Sequence, residues 1–140
     1  MNKKTIKMYD FFGLQAKIGV TKHIGGLKAT RYLIEHCNID DSKYMLVVGC
    51  GNGTSAIKIA KLTGCRIAGI DISKTMVELA NEKLENIVLD RIKFKVGDTE
   101  NISFPDNTFD VVISESVTAF TDRRKALSEY QRVLKKDPFI

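Results

Sequence analysis

The residues best suited to chemistry lie in one short segment, Tyr44 to Gly53, which reads YMLVVGCGNG. An apolar run of strand-forming residues leads directly into a turn with three glycines, Gly49, Gly51 and Gly53, and a helical pattern begins at the next residue. Glycine accepts positive φ angles and carries no Cβ, so a ligand can approach the peptide groups of such a turn closely. The segment therefore predicts a site for a nucleotide or nucleoside between a strand and a helix N-terminus.

The spacing of the glycines narrows the choice of ligand. A phosphate-binding P-loop requires a lysine before its final Ser or Thr, and Gly53-Thr54-Ser55 has none. A dinucleotide fingerprint requires the pattern GxGxxG, whereas Thr54 stands where its third glycine would be. The missing glycine argues against a pyrophosphate without excluding it, and a strand-to-helix turn without a ligand remains the alternative.

Polar residues also follow the second and third predicted strands. Asp71 comes 22 residues after Gly49, where a carboxylate can accept hydrogen bonds from both hydroxyl groups of a ribose. The alternative is a negative charge at the start of the helix for which Ser73 is the predicted N-cap. Asp98 and Thr99 follow the third strand, and they either form a turn or accept a hydrogen bond from an adenine amino group.

A regular alternation of strands and helices positions these residues. The predicted elements are Leu27–Cys37 (helix), Met45–Val48 (strand), Thr54–Leu62 (helix), Cys65–Ile70 (strand), Lys74–Asn86 (helix), Ile92–Val96 (strand), Phe109–Ser114 (strand) and a last helix capped by Asp122. This order predicts an α/β fold whose parallel strands are joined by right-handed crossovers. Ligands bind at the carboxyl edge of such sheets, to which the fourth strand adds Ser114 and Glu115. The patterns also place Val96 and Leu127 in the core and predict Gly64 as a helix C-cap.

Composition limits the functional classes. A chain of 140 residues is long enough for one domain with a core, and its net charge of +5 falls in short clusters, which indicates solvated helix ends rather than a nucleic-acid surface. The cysteines Cys37, Cys50 and Cys65 are odd in number and lack CxxC spacing, so neither a disulfide framework nor a metal site is predicted. With no apolar run of about 18 residues, these features predict a soluble protein of the cytoplasm.

Four motifs together resemble the class I S-adenosylmethionine-dependent methyltransferases, and the similarity is closest to their small-molecule and quinone branch. They are GCGNG at the glycine turn, GIDIS from Gly69, GDTENISFPDNTFDVVISE from Gly97 and EYQRVLKK from Glu129. The resemblance spans roughly residues 25–136. It implies a Rossmann-like parallel sheet of strand order 3-2-1-4 with flanking helices, the N-terminal part of a seven-stranded fold. Residues 27–140 would form the S-adenosylmethionine-binding domain, and residues 1–26 a helical lid.

The resemblance also implies a role for each site residue. The cofactor would contact the glycine turn and the three strand ends, through Gly49, Cys50, Gly51, Gly53, Asp71, Ile72, Asp98, Thr99 and Glu115. The turn would hold the methionine part, Asp71 the ribose, and Ile72, Asp98 and Thr99 the adenine. Glu115 would lie near the sulfonium, and it is the first candidate base for an acceptor of high pKa, with Tyr9, Asp10 and His23 as the alternatives.

Two departures from the family pattern weaken a purely catalytic interpretation. Val47 stands where such proteins carry an acidic residue that orders the turn. The chain also supplies four of the seven strands, so a C-terminal truncation is expected. The fourth strand would then be a bare edge able to pair with a second copy or a partner chain.

The sequence thus predicts methyl transfer from S-adenosylmethionine to a small-molecule acceptor, or the cofactor-binding part of such an enzyme. An NAD-dependent oxidoreductase and a non-catalytic nucleotide-binding or interaction module remain alternatives. Neither a membrane nor a nucleic acid is an expected partner, since the segment from Ser114 to Val117 lacks the Asn/Asp-Pro-Pro-aromatic run of methyltransferases acting on DNA bases.

Overall fold

A computed structural model describes residues 26–114 and 120–137 of the chain. The elements in these ranges are α1 (Gly26–His36), β1 (Tyr44–Val48), α2 (Thr54–Thr63), β2 (Arg66–Asp71), α3 (Lys74–Glu85), β3 (Ile92–Val96), β4 (Val111–Ser114) and α4 (Arg123–Val133). Each predicted strand and helix is present, with bounds shifted by one or two residues. The predicted lid, residues 1–26, lies outside the described residues except for Gly26.

The four strands form one parallel sheet in the order β3-β2-β1-β4, which confirms the fold class and the strand order. The register aligns Val48 of β1 with Ile70 of β2 and with Ser114 of β4. Asp71 aligns with Val96 of β3. The carboxyl ends of all four strands therefore lie along one edge of the sheet, as the alternating pattern predicted.

Apolar side chains cover both faces of the sheet. One face packs Met45, Val47, Ile67 and Phe94 against the helices α2 and α3, through Ala56, Ile57, Ile59, Ala60, Val77 and Ala80. The other face packs Leu46, Val48, Ala68 and Ile70 against α4 and the loop before β4, through Ile102, Phe109, Ala126, Tyr130 and Val133. Within the described ranges, no helix is long and apolar enough to span a membrane.

Two residues predicted to be in the core are exposed. Val96 is 52% exposed because it is the last residue of β3, a strand at the edge of the sheet. Leu127 is 54% exposed because the buried stripe of α4 is narrow, running through Ala126, Tyr130 and Val133 at helical spacing. Both predictions were wrong because periodicity does not show how far a covering layer extends.

The helix ends follow the predicted capping chemistry. The Asp122 carboxylate accepts hydrogen bonds from the backbone N–H groups of Arg124 (3.1 Å) and Lys125 (3.3 Å) at the start of α4. The Ser73 hydroxyl accepts one from Met76 N (3.3 Å) at the start of α3. Gly64 ends α2 with a left-handed φ of 73°. These contacts confirm the predicted caps. Capping could be predicted from sequence because it depends on residues that are close in the chain.

Arg132 of α4 holds the loop that joins β3 to β4. Its guanidinium donates to the carbonyl oxygens of Ile102 and Phe104, both at 2.8 Å, and to the Asp106 carboxylate at 2.9 Å. Glu129 pairs with Arg132 at 2.8 Å and accepts from Ile102 N at 2.7 Å. Hydrogen bonds from Arg132 lower the pKa of Glu129. The loop is therefore fixed at both the donors and the acceptors of its backbone.

Replacing Arg132 with lysine is expected to lower the free energy of unfolding by about 1 to 3 kcal/mol, because an ammonium cannot reproduce the planar fork that reaches two carbonyls and two carboxylates. Urea denaturation followed by circular dichroism measures the change. Arg124→Lys is the matched control, since Arg124 is exposed on the same helix. Equal losses in both variants would contradict the role of Arg132.

Candidate functional site

The glycine turn adopts the conformation that its sequence requires. Gly49, Gly51 and Gly53 have φ angles of 70°, 55° and 79°, in the left-handed region that favours glycine. The amides of Gly49 and Cys50 donate to Ile70 O at 2.8 and 3.0 Å, which ties the turn to β2. These amides are therefore committed to the fold, and the turn offers a ligand mainly its carbonyl oxygens, which suit an ammonium donor.

The glycines of this turn differ in their surroundings. Within residues 26–114 and 120–137, a Cβ added to Gly51 would meet no heavy atom within 4 Å, so this part of the chain leaves the outer side of Gly51 open. A Cβ added to Gly53 would lie 2.7 Å from Phe94 Cζ and 3.0 Å from Ala80 Cβ. Gly51 thus leaves room beside the turn, whereas Gly53 allows the turn to pack against Phe94. Sequence alone could not show which glycine leaves room beside the turn and which one allows close packing.

Asp71 lies beside the glycine turn, as the spacing predicted. One carboxylate oxygen accepts a hydrogen bond from Gly51 N at 2.9 Å, and the other accepts one from Ser73 N at 2.9 Å. Burial raises the pKa of Asp71, and these two hydrogen bonds oppose that shift. Each oxygen retains a lone pair, so the carboxylate can also accept from a ligand placed over Gly51.

The absence of an acid at position 47 is offset by other residues. Val47 is 3% exposed and packs in the core. Asp71 orders the Gly51 amide in its stead. The buried Asn52 side chain accepts from the Thr54 hydroxyl at 2.8 Å and from Thr54 N at 3.3 Å, and Lys83 donates to that hydroxyl at 2.7 Å. Burial lowers the pKa of Lys83.

The end of β3 lies next to Asp71. Gly97 N donates to the backbone carbonyl oxygen of Asp71 at 3.0 Å, so the turn that contains Asp98 begins beside the end of β2. Asp98 is exposed, and its carboxylate accepts from Glu100 N at 2.8 Å in a turn. Thr99 is buried, and its hydroxyl lies 2.9 Å from the Tyr130 hydroxyl of α4. Ile72 is half-buried at the start of the loop that follows β2.

The end of β4 completes the described part of the edge. The Tyr130 hydroxyl donates to Ser114 Oγ at 3.4 Å, so one tyrosine contacts the last residue of β4 and Thr99, which follows β3. Glu115 lies outside the described residues, and its assignment as candidate base stays a prediction.

Three residues that order the carboxyl edge of the sheet were not predicted as site residues from sequence: Asn52, Lys83 and Tyr130. Asn52 had a local signal, because asparagine often accepts a hydrogen bond from the amide two residues later in a turn. Lys83 and Tyr130 had none, since they reach their partners from helices 29 and 31 residues away in the chain.

The arrangement suits a nucleoside that carries hydrogen-bond donors. The Asp71 carboxylate accepts from the Gly51 amide, and the exposed Asp98 carboxylate follows the neighbouring strand. Within residues 26–114 and 120–137, no three His, Cys, Asp or Glu side chains group closely enough to hold a metal ion. The oxygen acceptors of the site can bind sugar hydroxyls and amino groups.

Comparisons with known proteins agree on one family. The family model for a methyltransferase domain matches residues 45–137. An uncharacterized protein of Haemophilus influenzae is 35% identical, over 89% of this chain and 52% of the relative. The ubiquinone/menaquinone biosynthesis C-methyltransferase UbiE of Geotalea uraniireducens is 33% identical, over 92% of this chain and 54% of that enzyme. The crystal structure of the MccD protein matches with a TM-score of 0.78 at 32% identity, over 82% of this chain and 51% of that one. The chain thus spans about half the length of these relatives.

Proposed function

The chain belongs to the methyltransferase domain family and has the class I S-adenosylmethionine-dependent methyltransferase fold, and from this premise we propose that it binds S-adenosylmethionine and serves methyl transfer to a small molecule. The resemblance drawn from the four motifs is confirmed at the level of the family. The family match gives no support to an NAD-dependent oxidoreductase or to a non-catalytic module.

One observation carries the proposal: the Asp71 carboxylate accepts a hydrogen bond from the amide of Gly51, and no described residue covers the outer side of Gly51. A carboxylate beside an open glycine turn suits a ribose whose hydroxyls donate to Asp71, with the methionine ammonium donating to the carbonyls of the turn. We assign the remaining contacts as the resemblance implies, with the turn residues Gly49, Cys50, Gly51 and Gly53, the adenine contacts Ile72, Asp98 and Thr99, and the sulfonium neighbour Glu115.

S-adenosylmethionine supplies a methyl group already activated by its sulfonium, so the chain has mainly to align the reactants. The glycine turn and Asp71 would fix the methionine and ribose ends, and the loop at Asp98 would fix the adenine. An acceptor of high pKa would need a base to take its proton, for which Glu115 is the candidate.

We further propose a small organic acceptor, in line with the named activity of the quinone-pathway relative. Residues 27–140 would form the cofactor-binding domain, with residues 1–26 as its lid. Cys37, Cys50 and Cys65 carry free thiols. Free thiols suit the reducing cytoplasm, where we place the protein.

Thermal unfolding with and without S-adenosylhomocysteine tests the proposed function. At about 100 times its Kd, the ligand is expected to stabilise the protein by about 2.7 kcal/mol. NADH at the same concentration is the control, and it should leave the transition unchanged. No shift with S-adenosylhomocysteine, confirmed by titration calorimetry, would contradict the proposal, and a shift with NADH alone would favour the oxidoreductase.

We also propose that the outer edge of β4 pairs with a second chain. Among the described residues β4 is the last strand of the sheet and pairs with β1, and the edge strand of a parallel sheet can pair with a strand of another chain. Size-exclusion chromatography with light scattering is expected to show a mass that rises above 15.7 kDa with concentration. A constant monomer mass across the range would contradict this prediction.

A further inference from the structure

We propose that the Tyr130 hydroxyl is a positioning group that joins the adenine side of the ligand site to the end of β4. The inference rests on the proposed function, since it concerns the same ligand. Tyr130 is 8% exposed and Thr99 is 7% exposed. Their hydroxyl oxygens lie 2.9 Å apart, and the Tyr130 hydroxyl donates to Ser114 Oγ at 3.4 Å. Either hydroxyl can be the donor in the shorter contact.

This chain of hydroxyl groups connects two walls of one site. Thr99 and its neighbour Asp98 follow β3, where we place the adenine. Ser114 is the last residue of β4, next to the candidate base Glu115. In the sheet, β2 and β1 separate these two strands, so no ladder hydrogen bond joins β3 to β4 directly. Tyr130 of α4 joins the ends of these two strands through its hydroxyl group.

The Tyr130 hydroxyl positions Thr99, whereas other contacts hold the loop that joins β3 to β4. Glu129 and Arg132 hold Ile102 and Phe104, and Glu100 accepts a hydrogen bond from Asp122 N at 2.7 Å. These charged contacts are independent of the tyrosine oxygen, and they keep the loop in place without it. Removing the oxygen takes the Tyr130 partner away from the buried Thr99 hydroxyl, so Thr99 is expected to turn and carry its amide with it.

The first experiment is titration calorimetry of Tyr130→Phe with S-adenosylhomocysteine. The variant keeps the ring in the core and is expected to raise the ligand Kd about tenfold, the effect of one hydrogen bond of roughly 1.4 kcal/mol. Tyr44→Phe is the matched control, because Tyr44 starts β1 at the opposite, amino end of the sheet. It should bind as the wild type does.

A second pair of variants separates position from stability. Thr99→Ser removes a buried methyl group but keeps the hydroxyl, so it should lower the melting temperature and retain more of the ligand affinity than a variant without the hydroxyl. Thr99→Val keeps the volume but loses the hydroxyl, so it should bind about tenfold more weakly. The loss in the double variant Tyr130→Phe, Thr99→Val should be smaller than the sum of the two single losses, because both changes break the contact between Tyr130 and Thr99.

The outcomes distinguish this inference from the function on which it rests. Absence of ligand binding in the wild type would overturn both. Binding by the wild type together with unchanged binding in Tyr130→Phe and Thr99→Val would overturn the positioning role alone. The positioning role would also be overturned if the loss of ligand affinity in each variant were proportional to its loss of melting temperature. If Tyr130→Phe fails to fold, the two Thr99 variants decide the question.

Discussion

Asp71→Asn is expected to weaken S-adenosylhomocysteine binding about a hundredfold while the protein remains folded, since two charge-assisted hydrogen bonds to a ribose contribute roughly 1.5 to 3 kcal/mol each. The asparagine has the same size but only one acceptor oxygen. It can still accept from one of the two amides that Asp71 now holds, Gly51 N or Ser73 N. Titration calorimetry measures the affinity, and circular dichroism checks the fold.

Asp110→Asn is the matched control for Asp71. Asp110 accepts a hydrogen bond from Tyr44 N at 2.8 Å and pairs with Lys135 at 3.2 Å, at the amino end of the sheet. Its replacement should cost stability but leave the ligand affinity unchanged. Equal affinity in Asp71→Asn and the wild type would refute the role of Asp71, and equal losses in both variants would point to a general effect on the fold.

The raised pKa of Asp71 predicts that the stability of the protein depends on pH. Burial raises its pKa above 3.8 in the folded protein, so the protonated form is favoured there. Its contribution to stability is therefore present below 3.8 and is lost as the pH rises through the folded pKa. The free energy of unfolding of the wild type, relative to that of Asp71→Asn, should fall as the pH rises. Urea denaturation between acidic and neutral pH tests the sign.

Gly51→Ala should weaken ligand binding at least as much as Asp71→Asn does. The added methyl group would enter the open space where we place the methionine and ribose, so binding should fall at least a hundredfold, or by about 2.7 kcal/mol. The left-handed φ of 55° adds a cost of about 1 to 2 kcal/mol to the stability of the fold. The variant is therefore expected to fold and to fail to bind, as calorimetry and circular dichroism will show.

Two other glycines separate steric exclusion from strain. Gly64→Ala also places alanine at a left-handed φ, 73°, but at the far end of α2, so it should lose similar stability and keep its affinity. Gly53→Ala would bring a Cβ within 2.7 Å of Phe94, so it should destabilise the protein more than Gly51→Ala does. Loss of binding in Gly64→Ala would show that strain, rather than a blocked site, explains the effect at Gly51.

The local structure around the site could be predicted from the residues themselves. The run of β-forming residues before Gly49, the helix start after Gly53 and the caps at Ser73 and Asp122 all depend on neighbours within four positions. Periodicity and capping report such contacts directly. The position of Asp71 after the second strand followed as well, because parallel strands end at a common edge.

Long-range contacts needed the tertiary structure. Periodicity showed that Phe94 is buried, but not that its ring fills the space beside Gly53 and Gly69. It also placed Leu127 in a core that does not extend so far. Neighbouring residues do not determine such packing, because it depends on the separation of whole layers and on the rotamers chosen at their interface.

The sequence alone was thus sufficient for the order of the elements, the bend at the glycines and the acid that follows the second strand, since each is encoded by residues close together. The fold alone decided that this acid bonds to the Gly51 amide and that Tyr130 contacts Thr99. Those contacts join residues 20 and 31 positions apart, and they exist only once the sheet has brought the strand ends together.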